Sequence, residues 1–352
     1  MAEIGEQKQR NEVWDIVKGL GILFVVAGHG FSGDISKFVN LFHIPLFFFV
    51  SGLVFKYKDR TVRSMAVFIR KCFKSLWLPS LLYGSIYVLL HNTFVTIHLY
   101  DLDYYSPRQI VINIIKHIGF LKTEPLESAM WFLTAIFAGR CLLYGVLWLS
   151  SFFEADKKKQ TLLELLLISI LFGLGCIFFY REISLPGNAD NACSLVPFMY
   201  AGYKMKKANL TRIYLIIPCF VIMVGLLAVS GQTLRMSRNE IVNPLFFLIA
   251  STAGVCFTYQ LASLVKNSEI GTGIFCYLGR NTIPILCVHL LAFRLISFIW
   301  IRCEDLPITM LSKHPIIDSS FFWGILYTLA GLVIPLIIPA AKNKIIKLGR
   351  IK

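Results

Sequence analysis

Charge is scarce in this chain. Only 16% of its 352 residues are Asp, Glu, Lys or Arg, against 56% hydrophobic and 14% aromatic, and mean hydropathy is +0.67. The length alone would allow two soluble domains, but this composition argues against any separate soluble domain. The nine cysteines include no CxxC and no Cys/His cluster with zinc spacing, so neither a metal site nor a disulfide framework follows. Most lie in apolar runs (Cys141, Cys176, Cys219, Cys256, Cys287), where a small hydrophobe is ordinary. No internal repeat is visible, which leaves an inverted-repeat transporter architecture without support. The opening MAEIGEQKQRNEVWD is mixed in charge, with no small-residue cleavage site after its apolar run, so it does not read as a removable signal peptide. Acids are the rarer sign, 20 against 35 Lys and Arg, for a net charge of +15. That excess sits in short loops between apolar runs, so it reads as membrane orientation and not as nucleic-acid binding.

What the chain has in abundance is apolar runs of about 18–20 residues, the length that crosses a bilayer. They imply an all-α, polytopic integral membrane protein with about ten spans: 14–33, 38–55, 76–96, 129–150, 161–180, 191–203, 213–230, 244–264, 274–301 and 319–339. The sixth is short, and the ninth is interrupted by Gly279-Arg280-Asn281. Of the 35 Lys and Arg, 22 fall in loops on the side that holds both termini and 9 on the other, which places both termini in the cytoplasm. Residues 1–13 are then a cytoplasmic N-terminal segment, 14–339 the membrane domain and 340–352 a basic cytoplasmic tail. The loop KYKDRTVRSMAVFIRKCFKS is the most basic; Arg63, Arg70 and Lys74 with Val67 between suggest an amphipathic helix along the inner surface. The outer stretch 99–128 is polar and aromatic. Asn209-Leu210-Thr211 matches a glycosylation sequon but falls on the inner side.

The stretch from Asp15 to Gly52 carries titratable groups into apolar surroundings. A charged side chain in hydrocarbon costs several kcal/mol, so each marks a functional hypothesis. At about 100° per residue, Lys18 and His29 differ by roughly 20° in direction, and Asp15 lies within about 40° of the same line. They form one polar stripe, with Lys18 and His29 roughly 16 Å apart along the axis. His29 can take a proton from a hydroxyl, which attack on an activated acyl group requires; a lone histidine here would more often be bonded to a neighbouring helix. His43, at the start of the second run, is as well placed to meet His29 as to sit at the interface. Arg70, Lys71 and Lys74 make a compact cationic group suited to a polyanion such as a nucleotide or coenzyme A. The competing reading is an anchor on lipid phosphates. His289, with Arg280, Asn281 and Arg294, is a second intramembrane polar patch. Trp131 opens the fourth span, where an aromatic is usually an interface anchor.

Together these residues resemble a known family. Asp15-x-x-Lys18-Gly19, then His29 ten residues beyond Lys18, then Phe42-His43-x-Pro45-Leu46-Phe47-Phe48-Phe49-x-Ser51-Gly52, resembles the membrane acyltransferase-3 family, closest to its fucose 4-O-acetylase-like and polysaccharide O-acetyltransferase branch. Arg70-x-x-x-Lys74 before Pro79, Trp131-Phe132-Leu133, and Asn281-Thr282 ahead of His289 are similar to further family segments. The resemblance implies an enzyme of the bacterial cytoplasmic membrane that passes an acyl group, usually acetyl, from acetyl-CoA or another acyl-CoA to a hydroxyl of a surface or lipid-linked glycan. It implies His29 as the essential histidine, Lys18 as its partner, with Asp15 and His43 beside them, and Arg70, Lys71 and Lys74 on the CoA side. Trp131, Arg280, Asn281 and His289 would line the substrate cavity, with no metal. Lysine at position 18, where many relatives have arginine, lacks the bidentate fork. Many relatives carry a C-terminal extracytoplasmic hydrolase-like domain; none is expected after the basic tail. Expected partners are acyl-CoA, the glycan acceptor and membrane lipid, and no nucleic acid; an oligomer stays open. From the residues alone a transporter or flippase, with His29, Lys18, His289 and Arg294 along its pathway, competes evenly with the enzyme.

Overall fold

A computed structural model describes residues 12–341 and 344, apart from 120, 122, 123, 154, 209, 231–233 and 314. Most of the N-terminal segment 1–13 and of the basic tail 340–352, and Asn209 of the sequon, lie outside the described residues. Those described form helices and no strand, the arrangement in which a chain in lipid satisfies its own backbone groups.

The first apolar run is α1 (Glu12–Gly30). A short turn leads to α2 (Gly33–Asn40) and α3 (His43–Leu53), every residue of which is buried. The amphipathic segment is α4 (Val62–Cys72), capped by the Thr61 hydroxyl on the Ser64 N–H. It does not stand apart from the third span as expected. A π-helical turn (Phe73–Trp77) carries it into α5 (Leu78–Thr96), so the wider turn accommodates Pro79, which has no N–H to offer. The outer stretch 99–128 contains a helix the sequence did not announce, α6 (Pro107–Ile118), opened by Pro107 and a Ser106–Gln109 capping box. α7 (Trp131–Ser150) and α8 (Lys157–Tyr180) follow, the latter capped by Asp156.

Then come α9 (Ala189–Met205), α10 (Ile216–Ser230) and α11 (Pro244–Val265). The expected ninth span divides at Asn281 into α12 (Glu269–Arg280) and α13 (Thr282–Cys303), and α14 (Phe321–Val333) completes the set. Among the described residues nine helical stretches are long and apolar enough to cross a membrane. The sixth expected span, α9, is a 17-residue helix outside that group. It is walled in by α3, α7 and α8, so protein supplies the surroundings that lipid supplies elsewhere.

Two pairs of glycines set the tightest crossings. A Cβ on Gly52 would lie 1.9 Å from the Met199 carbonyl oxygen, and one on Gly202 2.0 Å from that of Phe49, so α3 and α9 touch backbone to backbone. Gly19 and Gly279 do the same for α1 and α12 against Phe275 and Asp15. Small residues let helices approach where apolar burial from water cannot drive them together. α1 is the hub, packed on α2, α3, α11, α12, α13 and α14.

Candidate active site

Two cavities lie along the same pair of helices. The smaller, about 250 Å³, is lined by His29 from α1, Ser36 and Asn40 from α2, His43 from α3, Trp131 and Phe132 from α7, and Arg235 and Ser237 from the loop before α11. The rings of His29 and His289 stand 5.3 Å apart. His43 Nδ1 lies 2.8 Å from the Val39 carbonyl and His289 Nδ1 2.9 Å from that of Leu286. A carbonyl only accepts, so Nδ1 donates in both rings, and in the neutral imidazole Nε2 is then the acceptor. Trp131 is buried at the cavity wall, not placed as a surface anchor.

The stripe on α1 divides in two. Lys18 Nζ is 2.5 Å from Asp15 Oδ1, and Arg280 Nε is 3.2 Å from Asp15 Oδ2. Asp15 is buried while both cations are partly exposed, so this cluster straps α12 to the first turns of α1. Eleven residues along the helix separate Lys18 from His29, about 16 Å; the structure joins Lys18 to Asp15 and Arg280, and His29 to His289 and the His43 cavity. Asn281 donates to the Tyr277 carbonyl at the break between α12 and α13. Arg294 is bonded to main-chain carbonyls of Leu311, Ser312 and Lys313.

The larger cavity, about 1190 Å³, opens at the other ends of α3 and α7. Its walls carry Lys56 and Lys58 after α3, Arg63 and Lys71 from α4, Arg140 from α7, and Lys204, Lys206 and Lys207 from the end of α9 and the residues after it: eight cations against the single carboxylate of Asp59. Asp59 accepts from the Thr61 N–H and hydroxyl; these bonds and that of Ser64 hold its carboxyl down at about 2, so it stays ionised. Of the three cations expected to contact a polyanion, Lys71 lines this cavity and Arg70 and Lys74 do not. Arg63, Val67 and Lys71 share one stripe of α4 at four-residue spacing; Arg70 lies on the neighbouring stripe, and Lys74 continues it in the π-helical turn. Aromatic rings floor the space: Phe68 stacks on Tyr144 at 4.6 Å, with Tyr57 5.3 Å from Tyr144 and Phe55 5.2 Å from Phe68. Between the cavities α3 and α7 close over Phe48, which lies against Gly139.

Several polar groups at these sites carry little signal in the sequence. Ser36, Asn40, Arg235 and Ser237 reach the small cavity from loops and a short helix, whose register the sequence does not set. Arg140 did have a signal, a charge inside a span. Glu164, buried in α8, takes Lys204 at 2.5 Å, Tyr200 at 2.9 Å and Ser150 at 3.1 Å. On the less basic side His91 meets Glu124 at 2.8 Å and His117 meets Glu127 at 2.7 Å, all four buried. No group of His, Cys, Asp and Glu with the makings of a metal site occurs among the described residues.

A multi-helix membrane domain with imidazoles in one cavity and cations in the other defines the class, an integral membrane protein with two polar cavities among its helices. A family model described as an acyltransferase domain matches residues 11–341, nearly the whole chain, and the protein belongs to the acyltransferase-3 family as a membrane acyltransferase. No curated protein and no solved structure matches the chain.

Proposed function

We propose that the protein transfers an acyl group, acetyl by the resemblance, from cytoplasmic acyl-CoA to a hydroxyl of a cell-surface or lipid-linked glycan. The observation that carries this reading is the pairing of cavities: a large cationic one and a small imidazole-lined one at opposite ends of α3 and α7. Cations at this density suit the phosphates of CoA, and the Phe68–Tyr144 stack suits a purine ring. The volume accommodates a ligand larger than an ordinary metabolite. The polar wall of the small cavity, with Trp131, Asn40 and Ser36, suits a sugar: an aromatic face for the ring, and donors and acceptors for its hydroxyls.

In this reading His29 draws the proton from the acceptor hydroxyl as its oxygen attacks the thioester carbonyl carbon. The carbon–sulfur bond then breaks, and the departing thiolate takes the proton from His29, which returns to neutral. His43 and His289, each with Nε2 as an acceptor, give that proton places to rest. A covalent acyl-histidine on His29 is the other route to the same products. Lys18 and Asp15 serve at a distance, by fixing the helix that carries His29. The enzyme would sit in a bacterial cytoplasmic membrane, with the basic cavity facing the cytoplasm.

The test is turnover of radiolabelled acetyl-CoA by purified wild type and His29→Ala, with CoA release and label transfer to an added glycan mixture both followed. General-base loss should lower turnover by about 10²–10⁴-fold while the melting temperature holds. A folded His29→Ala protein with wild-type turnover sinks the assignment.

A further inference from the structure

Arg140 lies at the middle of α7, nine residues from Trp131 and so about 14 Å along the helix. A guanidinium at that depth must be compensated or put to use. Lys204 shows how this protein compensates a cation at the same cavity, by placing Glu164 2.5 Å away. Arg140 has no such counter-charge: none of the ion pairs among the described residues includes it. The one acid lining its cavity, Asp59, is half-buried and already accepts from the Thr61 hydroxyl and N–H. The guanidinium is steadied by aromatic faces, Phe55 at 5.6 Å and Phe68 at 5.8 Å, and lies beside the Cys72 thiol. Its Nε is buried and makes no hydrogen bond. Beyond it, toward His29 and His43, the α3–α7 seam is apolar: Phe48 fills the space at Gly139, and Phe47 meets Phe132 edge-on at 5.2 Å.

We propose that Arg140 is a charge stop that binds a phosphoryl group of the donor and admits only the donor's uncharged arm to the seam. The inference rests on the donor reading above and adds to it a residue that sets how deeply the donor enters. A phosphate accepts from the orphaned Nε–H and supplies the missing counter-charge, and it goes no further because the seam offers an anion no partner. From Arg140 to Phe132 is about 12 Å along α7, the distance the uncharged arm must bridge. A phospholipid headgroup presents the same phosphoryl chemistry, so the experiment separates the two sources.

Calorimetric binding of CoA and of pantetheine, which lacks phosphates, is measured for wild type, Arg140→Gln and Arg140→Lys in phosphatidylcholine nanodiscs. Arg140→Gln should weaken CoA about tenfold or more, the scale of one lost charge-assisted hydrogen bond, and leave pantetheine unchanged. Arg140→Lys should restore part of the loss, since it returns the charge without the fork. CoA bound equally by wild type and Arg140→Gln overturns the charge stop and leaves the donor reading standing. Equal weakening of both ligands overturns it too, as the mark of a structural role. If replacing phosphatidylcholine by phosphatidylglycerol weakens CoA for the wild type but not for Arg140→Gln, the phosphoryl group at Arg140 belongs to lipid and the charge stop is overturned. A wild type that binds no CoA in phosphatidylcholine brings down the donor reading, and the charge stop with it.

Discussion

His117 illustrates how single residues hold the outer side together. Its Nδ1 lies 2.7 Å from the Asn113 carbonyl and its Nε2 2.7 Å from Glu127 Oε1. Two acceptors demand two N–H donors, which only the imidazolium has. Burial pushes its pKa down, but the bond and charge of Glu127 and the bond to Asn113 outweigh that and hold it above the ordinary value. A raised folded-state pKa contributes stability fully below the unfolded pKa of about 6.5, and that contribution is lost as pH rises through the folded value. Amide hydrogen exchange across 107–118, followed from neutral to alkaline pH, should therefore show α6 loosening as pH rises; protection that is flat with pH would contradict the pair. Replacing Glu127 by alanine lets burial take the proton from His117 and leaves its Nε2 without this partner, which should cost about 1–3 kcal/mol, read as a fall in the urea midpoint. His117 also fills the space beside Gly84, where an added Cβ would lie 2.2 Å from its ring.

At the scale of elements, stability depends on where helices meet without side chains between them. Gly52→Leu forces a side chain into the Met199 backbone and should destabilise by more than about 3 kcal/mol, because α3 and α9 are buried and neither can retreat. Gly145 on α7 has open space where its Cβ would go. Gly145→Ala should accordingly be neutral or gain about 0.5–1 kcal/mol from helix propensity. Thermal unfolding of the two variants in one detergent reads this contrast; equal melting temperatures would refute it. The strap of Asp15 by Lys18 and Arg280 belongs to this scale as well, since it ties α12 to α1 at the turn where Gly279 lets them touch.

For the whole molecule, the cationic cavity lies on the side with most of the Lys and Arg, and the loops counted there, 56–75 and 204–212, supply all its cations but Arg140. Cys303, at the far end of α13, is exposed, and the other eight cysteines are buried or half-buried. A membrane-impermeant maleimide applied outside intact cells should label Cys303, and a cysteine placed at Lys58 should react only after the membrane is opened. The reverse pattern would invert the topology and with it the cytoplasmic donor.

Composition and run length determined the helical membrane class, because crossing lipid demands long apolar stretches that no tertiary contact can replace. The three-residue and eleven-residue spacings of Asp15, Lys18 and His29 put them on one stripe, since a helix fixes direction locally. Only the tertiary structure decided their partners. Direction along a helix says nothing of which neighbour lies opposite, so Asp15 meets Arg280 from 265 residues away while His29 meets His289. The same limit holds on α4 and the π-helical turn after it, where charge marks Arg70, Lys71 and Lys74 alike. The cavity takes Lys71 with Arg63 and gathers Lys56, Arg140 and Lys207 from other elements. Which face of a helix is inward depends on what packs against it, and that is a property of the assembled bundle.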